Sequence, residues 1–288
     1  MRLAFSTLGV PGVPVGEAAR LAAGSGFDGL ELRAHPEEHV HLGMSKDERR
    51  AARQEIEDAG LETLAVAGYP KVAAPGEDEP VYGELGALLE LARDLGAPYA
   101  RVFPGAGESE DGDATAARRL AHMAPLAADL GVRILLETHD SHRTGADAAR
   151  VLSAVGHPSA GALWDVLHTW RGGESPDTSF RLLAPHLGYV QVKDVASAED
   201  TTPLPPGAGV LPLREVVDLL GHARERTPAT SGDLEGVEAS QYGLRPDSGG
   251  WLCWEYEKRW YPEVQPLPEL LPQVGAYLRE LLDGSHTR

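Results

Sequence analysis

The chain has 288 residues, 42% of them hydrophobic, and its 44 acidic and 26 basic side chains give a formal net charge of -18. That balance excludes a nucleic-acid partner, which needs a basic footprint. The one cysteine, Cys253, excludes a disulfide framework and a cysteine metal cluster, and it fits a reducing compartment. Met1 to Gly9 run into a strand-like pattern rather than a secretory leader, and no apolar run is long enough to span a bilayer. A soluble cytoplasmic protein without a membrane partner is therefore expected.

Short apolar runs alternate with amphipathic stretches about every thirty residues. The runs are Leu3–Leu8, Gly29–Arg33, Thr63–Ala67, Tyr99–Phe103, Arg133–Glu137, Gly161–Asp165, Tyr189–Lys193 and Trp251–Glu255. Their near-continuous apolar character fits strands covered on both faces, as in a parallel sheet. Helices are expected over about 45–60, 79–95, 114–130, 146–155, 178–187, 213–224 and 267–282. Ser45 with Glu48 forms a capping box, and Gly60, Gly96 and Gly131 stand where C-terminal glycines belong. Eight strand–helix repeats predict an α/β protein, a (β/α)8 TIM barrel, as one domain over 1–288. A segment rich in Gly, Ser, Pro and acid, 227–250, reads as a surface insertion between the seventh helix and the eighth strand, on the face away from the chemistry.

In such a barrel the chemistry sits at the C-terminal strand ends. Those ends carry Glu31 and Arg33, Arg101, Glu137-Thr-His139-Asp140, Asp165 with His168 beyond it, Gln191 with Lys193-Asp194, and Glu255-Tyr-Glu257. Buried strand ends gain nothing from charge unless it is paired or bound. Glu137, Asp165, Gln191 and Glu255 come from four successive strands. Three carboxylates and an amide oxygen make a hard site, suited to Mn2+ or Mg2+, with Co2+ or Zn2+ as alternatives. Singly, each carboxylate is as well explained by a helix cap or an arginine partner.

The chain resembles the xylose isomerase-like barrel superfamily, the sugar phosphate isomerase/epimerase group. The resemblance rests on Leu136-Glu-Thr-His-Asp140, Trp164-Asp-Val-Leu-His168 with Gly173-Glu-Ser-Pro176, Val190-Gln-Val-Lys-Asp194 and Trp254-Glu-Tyr-Glu257. It implies metal ligands at Glu137, Asp165, the position of Gln191, and Glu255, with His168 a substrate or supporting group. Histidine is the usual residue at the position of Gln191; a glutamine there is similar to the hydroxypyruvate isomerase branch, and it argues against a zinc preference. The group's common assemblies imply a homodimer or homotetramer.

Substrate contacts are expected from His168, Lys193, Arg101, His139 and Trp254. Each has a plainer alternative: His139 as a support of the strand end, Lys193 in an ion pair with Asp194, Arg101 beside a carboxylate, Trp254 and Trp260 in core or lid. No GxxxxGK loop, HExxH pair, GxSxG elbow or dinucleotide fingerprint is present. The expected reaction is isomerisation or epimerisation of a small sugar, ketose or hydroxy-carbonyl compound. A metal polarises the carbonyl while Glu137 and Glu255 move the proton through an enediolate. The alternatives are a lyase resembling inosose or dehydroshikimate dehydratases, a subunit that cleaves carbon–glycosyl bonds, and a binding barrel without catalysis.

Overall fold

The structure, a computed structural model, describes residues 1–225 and 250–284. Eight strands close a barrel in the order β1 to β8: β1 (Arg2–Ser6), β2 (Gly29–Arg33), β3 (Glu62–Lys71), β4 (Tyr99–Phe103), β5 (Arg133–Glu137), β6 (Ala160–Asp165), β7 (Leu187–Val192) and β8 (Trp251–Trp254). Every neighbouring pair is parallel, including β1 with β8. The helices are α1 (Val15–Gly24), α2 (Lys46–Asp58), α3 (Asp78–Asp94), α4 (Gly112–Asp129), α5 (Gly145–Val155), α6 (Val166–Arg171), α7 (Pro176–Leu183), α8 (Leu213–Glu225) and α9 (Leu267–Asp283). Among the described residues, no helix is long and apolar enough to cross a membrane. The segment 227–250 lies, save for Gly250, outside the described residues, so its expected role as a surface insertion carries no structural account.

All eight strands stand where the apolar runs place them, within a few residues at each end. The capping box of α2 is present: Ser45 Oγ accepts from the Glu48 amide, and Glu48 Oε2 accepts from the Ser45 amide at 2.7 Å. Gly60 follows with φ +75°, a conformation that a side chain would strain. Four details differ from expectation, the first being the short helix α6 directly after β6, which was not foreseen. Helix α1 was not foreseen, although Val15, Ala18, Ala19 and Ala22 are buried at helical spacing. Helix α7 starts at Pro176 and ends at Leu183 rather than running over 178–187, because Ser175 caps it, Pro176 takes the first helical position, and Leu187 already pairs with Ala162. The residues after Ser6 turn into a 3-10 helix, Thr7–Gly9, instead of prolonging β1.

Two hydrophobic layers result. The larger lies between sheet and helices. The smaller fills the barrel with Ala4, Leu64, Ala65, Tyr99, Leu135, Leu163, Tyr189, Trp251 and Cys253. Side chains alternate along a strand. Two residues beyond that plug, the same inward direction is taken by Ser6, Arg101, Glu137, Asp165, Gln191 and Glu255. Glu31 joins them, because Ser6 and Glu31 are register partners on β1 and β2. The period-two rule thus turns an apolar plug into a polar floor for the mouth.

Candidate active site at the barrel mouth

Each strand end is fixed by local hydrogen bonds. Thr138 Oγ1 accepts from the Asp165 amide at 2.9 Å and donates to the Asp165 carbonyl at 3.2 Å, which ties β5 to β6 at their ends. Asp165 Oδ1 caps α6 by accepting from the Leu167 amide at 2.9 Å. Its Oδ2 is left for the mouth, and α6 brings His168 Nε2 back to 3.7 Å from it. Asp194 accepts from the backbone amides of Val195, Gly207, Gly209 and Leu211 at 2.8–3.1 Å, and so gathers the loop after β7. A Cβ on Gly209 would sit 2.3 Å from the Asp194 carboxylate, so the loop needs glycine there. Glu174, in the Gly-Glu-Ser-Pro motif, accepts from the amides of Gly145 and Ala146 and caps α5.

Glu31, Glu137, Asp165, Gln191 and Glu255 are buried on this floor, each at most 4% exposed. Two buried cations meet them. Lys193 Nζ stands 2.9 Å from Asp165 Oδ2, 2.5 Å from Glu255 Oε2 and 2.6 Å from Glu257 Oε1. Arg101 Nε is 3.1 Å from Glu137 Oε2, its Nη1 donates to the Gly68 carbonyl at 2.9 Å, and its guanidinium covers the Phe103 ring at 4.0 Å. Lys193 does not pair with Asp194, whose carboxylate is taken up by the loop.

Four carboxylates against two cations leave surplus negative charge in a dehydrated place. Burial raises the Glu137 carboxyl to about 7, although Arg101 and His139 oppose that shift. Burial and the neighbouring Glu255 raise Glu31. Burial alone would lower Lys193, but Asp165, Glu255 and Glu257 outweigh it and hold the ammonium charged. His168 is pushed well below its ordinary value by burial and by Lys193, and is neutral at pH 7. For His139, burial is outweighed by Asp140 and Glu137, so its value rises.

The donor set fits a hard divalent cation. Gln191 Oε1 is buried without a partner, while Glu137 Oε2 and Asp165 Oδ2 are met only by the charges of Arg101 and Lys193. Orphaned buried oxygens are costly unless something binds them. Among the described residues, Glu137, His139 and His168 also bring ligand atoms within 4.8 Å of one another.

The structure gathers the expected site residues Glu137, Asp165, Gln191, Glu255, Arg101, Lys193, His139 and His168 around one mouth. His139 and His168 pack with ring centroids 4.1 Å apart, and Phe103 lies 4.7 Å from His139. Trp254 is the exception. It is fully buried in the sheet–helix core, 5.4 Å from the Tyr256 ring, so it does not reach the mouth as a substrate contact. Adjacent strand residues face opposite ways, and Glu255 takes the inward direction. Trp260 is 53% exposed at the rim, 5.5 Å from the Arg33 guanidinium.

Sequence reasoning noted Glu31 at a strand end but gave it no role, and it did not single out Tyr69 or Tyr189. Tyr69 accepts from Arg33 Nε at 2.6 Å, and its ring lies 5.5 Å from the Arg101 guanidinium. Tyr189 donates to Glu31.

Known proteins share this fold. A curated relative, 3-dehydroshikimate dehydratase of Bacillus anthracis, is 24% identical over 189 residues, covering 64% of this chain and 67% of the relative. The solved structure of a D-psicose 3-epimerase in the presence of D-fructose matches with TM-score 0.75 at 16% identity, over 98% of this chain and 99% of that one. IolI protein with a bound zinc atom matches with TM-score 0.73 at 15% identity, over the whole of both chains. The family model for xylose isomerase-like TIM barrels matches residues 19–230, and the chain belongs to that family.

Proposed function

We propose that the protein is a divalent-metal-dependent isomerase or epimerase of a small sugar, ketose or hydroxy-carbonyl compound. The observation that carries this reading is the convergence of Glu137, Asp165 and Glu255 with the unpartnered oxygen of Gln191 in one buried floor, where four carboxylates meet only two cations. Those four residues would hold the ion, which when bound supplies Lewis-acid polarisation of a substrate carbonyl.

The chain's own groups do the rest. Glu137, with a carboxyl that titrates near 7, is suited to take a proton from carbon at neutral pH. Glu255, beside Lys193 and Gln191, starts protonated and gives its own proton to the enediolate, so the two carboxyls exchange protonation states in one turnover. Delivery to the same carbon gives epimerisation, and delivery to the neighbouring carbon gives isomerisation. Neutral His168 offers an unpartnered Nε2 to a substrate hydroxyl, and charged Arg101 and Lys193 balance the enediolate. The buried floor keeps water away from the carbanionic carbon.

One observation favours a second reading, a dehydratase. The curated relative matched in sequence is named for loss of water from 3-dehydroshikimate. The same enediolate with a hydroxyl on the next carbon expels water when a neighbouring acid protonates it.

Turnover of D-fructose, D-psicose and 3-dehydroshikimate in heavy water, read by NMR and mass spectrometry, tests both. The first reading expects deuterium fixed on the carbon beside the carbonyl of a ketohexose product. The second expects loss of water from 3-dehydroshikimate. Sugar turnover without solvent deuterium would point to hydride shift and overturn the two-glutamate scheme.

A further inference from the structure

We infer that Glu31 is a positioning residue that holds the nitrogen end of the Gln191 amide, so that the amide oxygen is left unpartnered for an ion. The inference rests on the metal-binding reading above and adds a residue to it.

Gln191 is fully buried, so its amide has no water to turn toward. Its Nε2 lies 2.9 Å and 2.8 Å from the two oxygens of Glu31, and 3.3 Å from Glu255 Oε1. Two oxygens of Glu31 and one of Glu255 surround this end of the amide, a setting for the nitrogen, which donates, rather than for the oxygen. The two ends of an amide are nearly alike in shape, and the hydrogen-bond network decides between them. The reversed amide would set its oxygen against carboxylate oxygens and lose all three contacts. In the favoured orientation Oε1 is buried with no partner. An acceptor left so is costly unless a ligand takes it up.

Glu31 is held in turn. Tyr189 donates to its Oε2 from the apolar plug, two residues before Gln191 on the same strand. Thus β7 supplies both the ligand and the hydroxyl that fixes the ligand's orienting group. Glu31 comes from β2, which is not a neighbour of β7 in the barrel, so the contact crosses the interior. Tyr189 and Gln191 both donate to Glu31, which suits a group whose task is to accept. Outer hydrogen-bond partners of metal ligands commonly act this way, and their loss weakens metal affinity about 10- to 100-fold.

The test is a double-mutant cycle on Mn2+ affinity, read from the free-ion electron paramagnetic resonance signal. It uses the full chain, with circular-dichroism melting to check folding. Glu31→Gln keeps the shape and removes the acceptor-only character. It is expected to weaken Mn2+ about 10- to 100-fold without lowering Tm. With Gln191→Leu there is no amide left to orient. Adding Glu31→Gln to Gln191→Leu should then change affinity by no more than about threefold. A full additional loss in the double variant would show that Glu31 acts on the ion directly and would overturn the proposal. So would wild-type affinity in Glu31→Gln. If Gln191→Leu binds Mn2+ normally while Asp165→Asn does not, the metal reading stands and the positioning role falls. If the wild-type protein binds no Mn2+, the metal reading fails and the positioning role with it.

Discussion

Glu137→Gln and Glu255→Gln are each expected to lower kcat by about a hundred- to ten-thousand-fold, because each removes a proton-transferring carboxyl while keeping size and an oxygen donor. Steady-state turnover together with solvent-deuterium exchange checks this. A variant blocked on one side of the proton transfer still exchanges from the other, so exchange without turnover in one variant and not the other would assign the two faces. Loss below about tenfold in both would remove them from proton transfer.

The same groups set the pH behaviour. Glu137 has its carboxyl raised to about 7 by burial, against an ordinary value near 4.5. The folded protein therefore holds this proton where the unfolded chain has released it. Without metal, its contribution to stability is present in acid and is lost as pH rises from about 4.5 through 7. An ion must displace that proton to bind, so apparent metal affinity should fall about tenfold per pH unit below 7. Glu137→Gln should flatten that slope.

The second large effect is expected at Lys193. Its ammonium stands among Asp165, Glu255 and Glu257, and Lys193→Met leaves those carboxylates without it. Removing one partner of a buried charge pair typically costs about 3–5 kcal/mol. The metal-free variant should therefore unfold at a clearly lower urea concentration than wild type. Added Mn2+ should recover more stability in the variant than in wild type, because the ion meets more uncompensated charge there. Equal stabilisation of both by Mn2+ would mean that Lys193 and the ion do not share these carboxylates.

The barrel was legible because its strands are short, near-continuous apolar runs recurring between helical stretches that end in glycine, and because parallel strands buried on both faces leave that pattern. Helix α1 was missed for the opposite reason. Its buried face is Val15 and three alanines, a weak signal that only the helical spacing betrays. The strand-end residues were readable as a set, since Glu137, Asp165 and Glu255 close or follow an apolar run and Gln191 interrupts one near its end. Trp254 was readable too, had parity been applied: it cannot face the mouth if Glu255 does.

Glu31 was visible at a strand end, but its bond to Gln191 joins residues from opposite parts of the chain and follows from barrel closure alone. The position of Lys193 among three carboxylates was hidden in the same way. Its neighbour Asp194 looked like its partner until the loop at 207–211 was seen to take up that carboxylate.

The most direct test of the central claim is the metal content of protein purified without chelator, compared with Asp165→Asn. Asp165 turns one oxygen to the floor, beside Lys193, and leaves its other oxygen to cap α6. Elemental analysis should find one equivalent of a divalent ion such as Mn2+ or Mg2+ in wild type and little in the variant. Chelation should abolish turnover, and the ion should restore it. Wild-type protein that holds no divalent ion and keeps full activity after chelation would contradict the account.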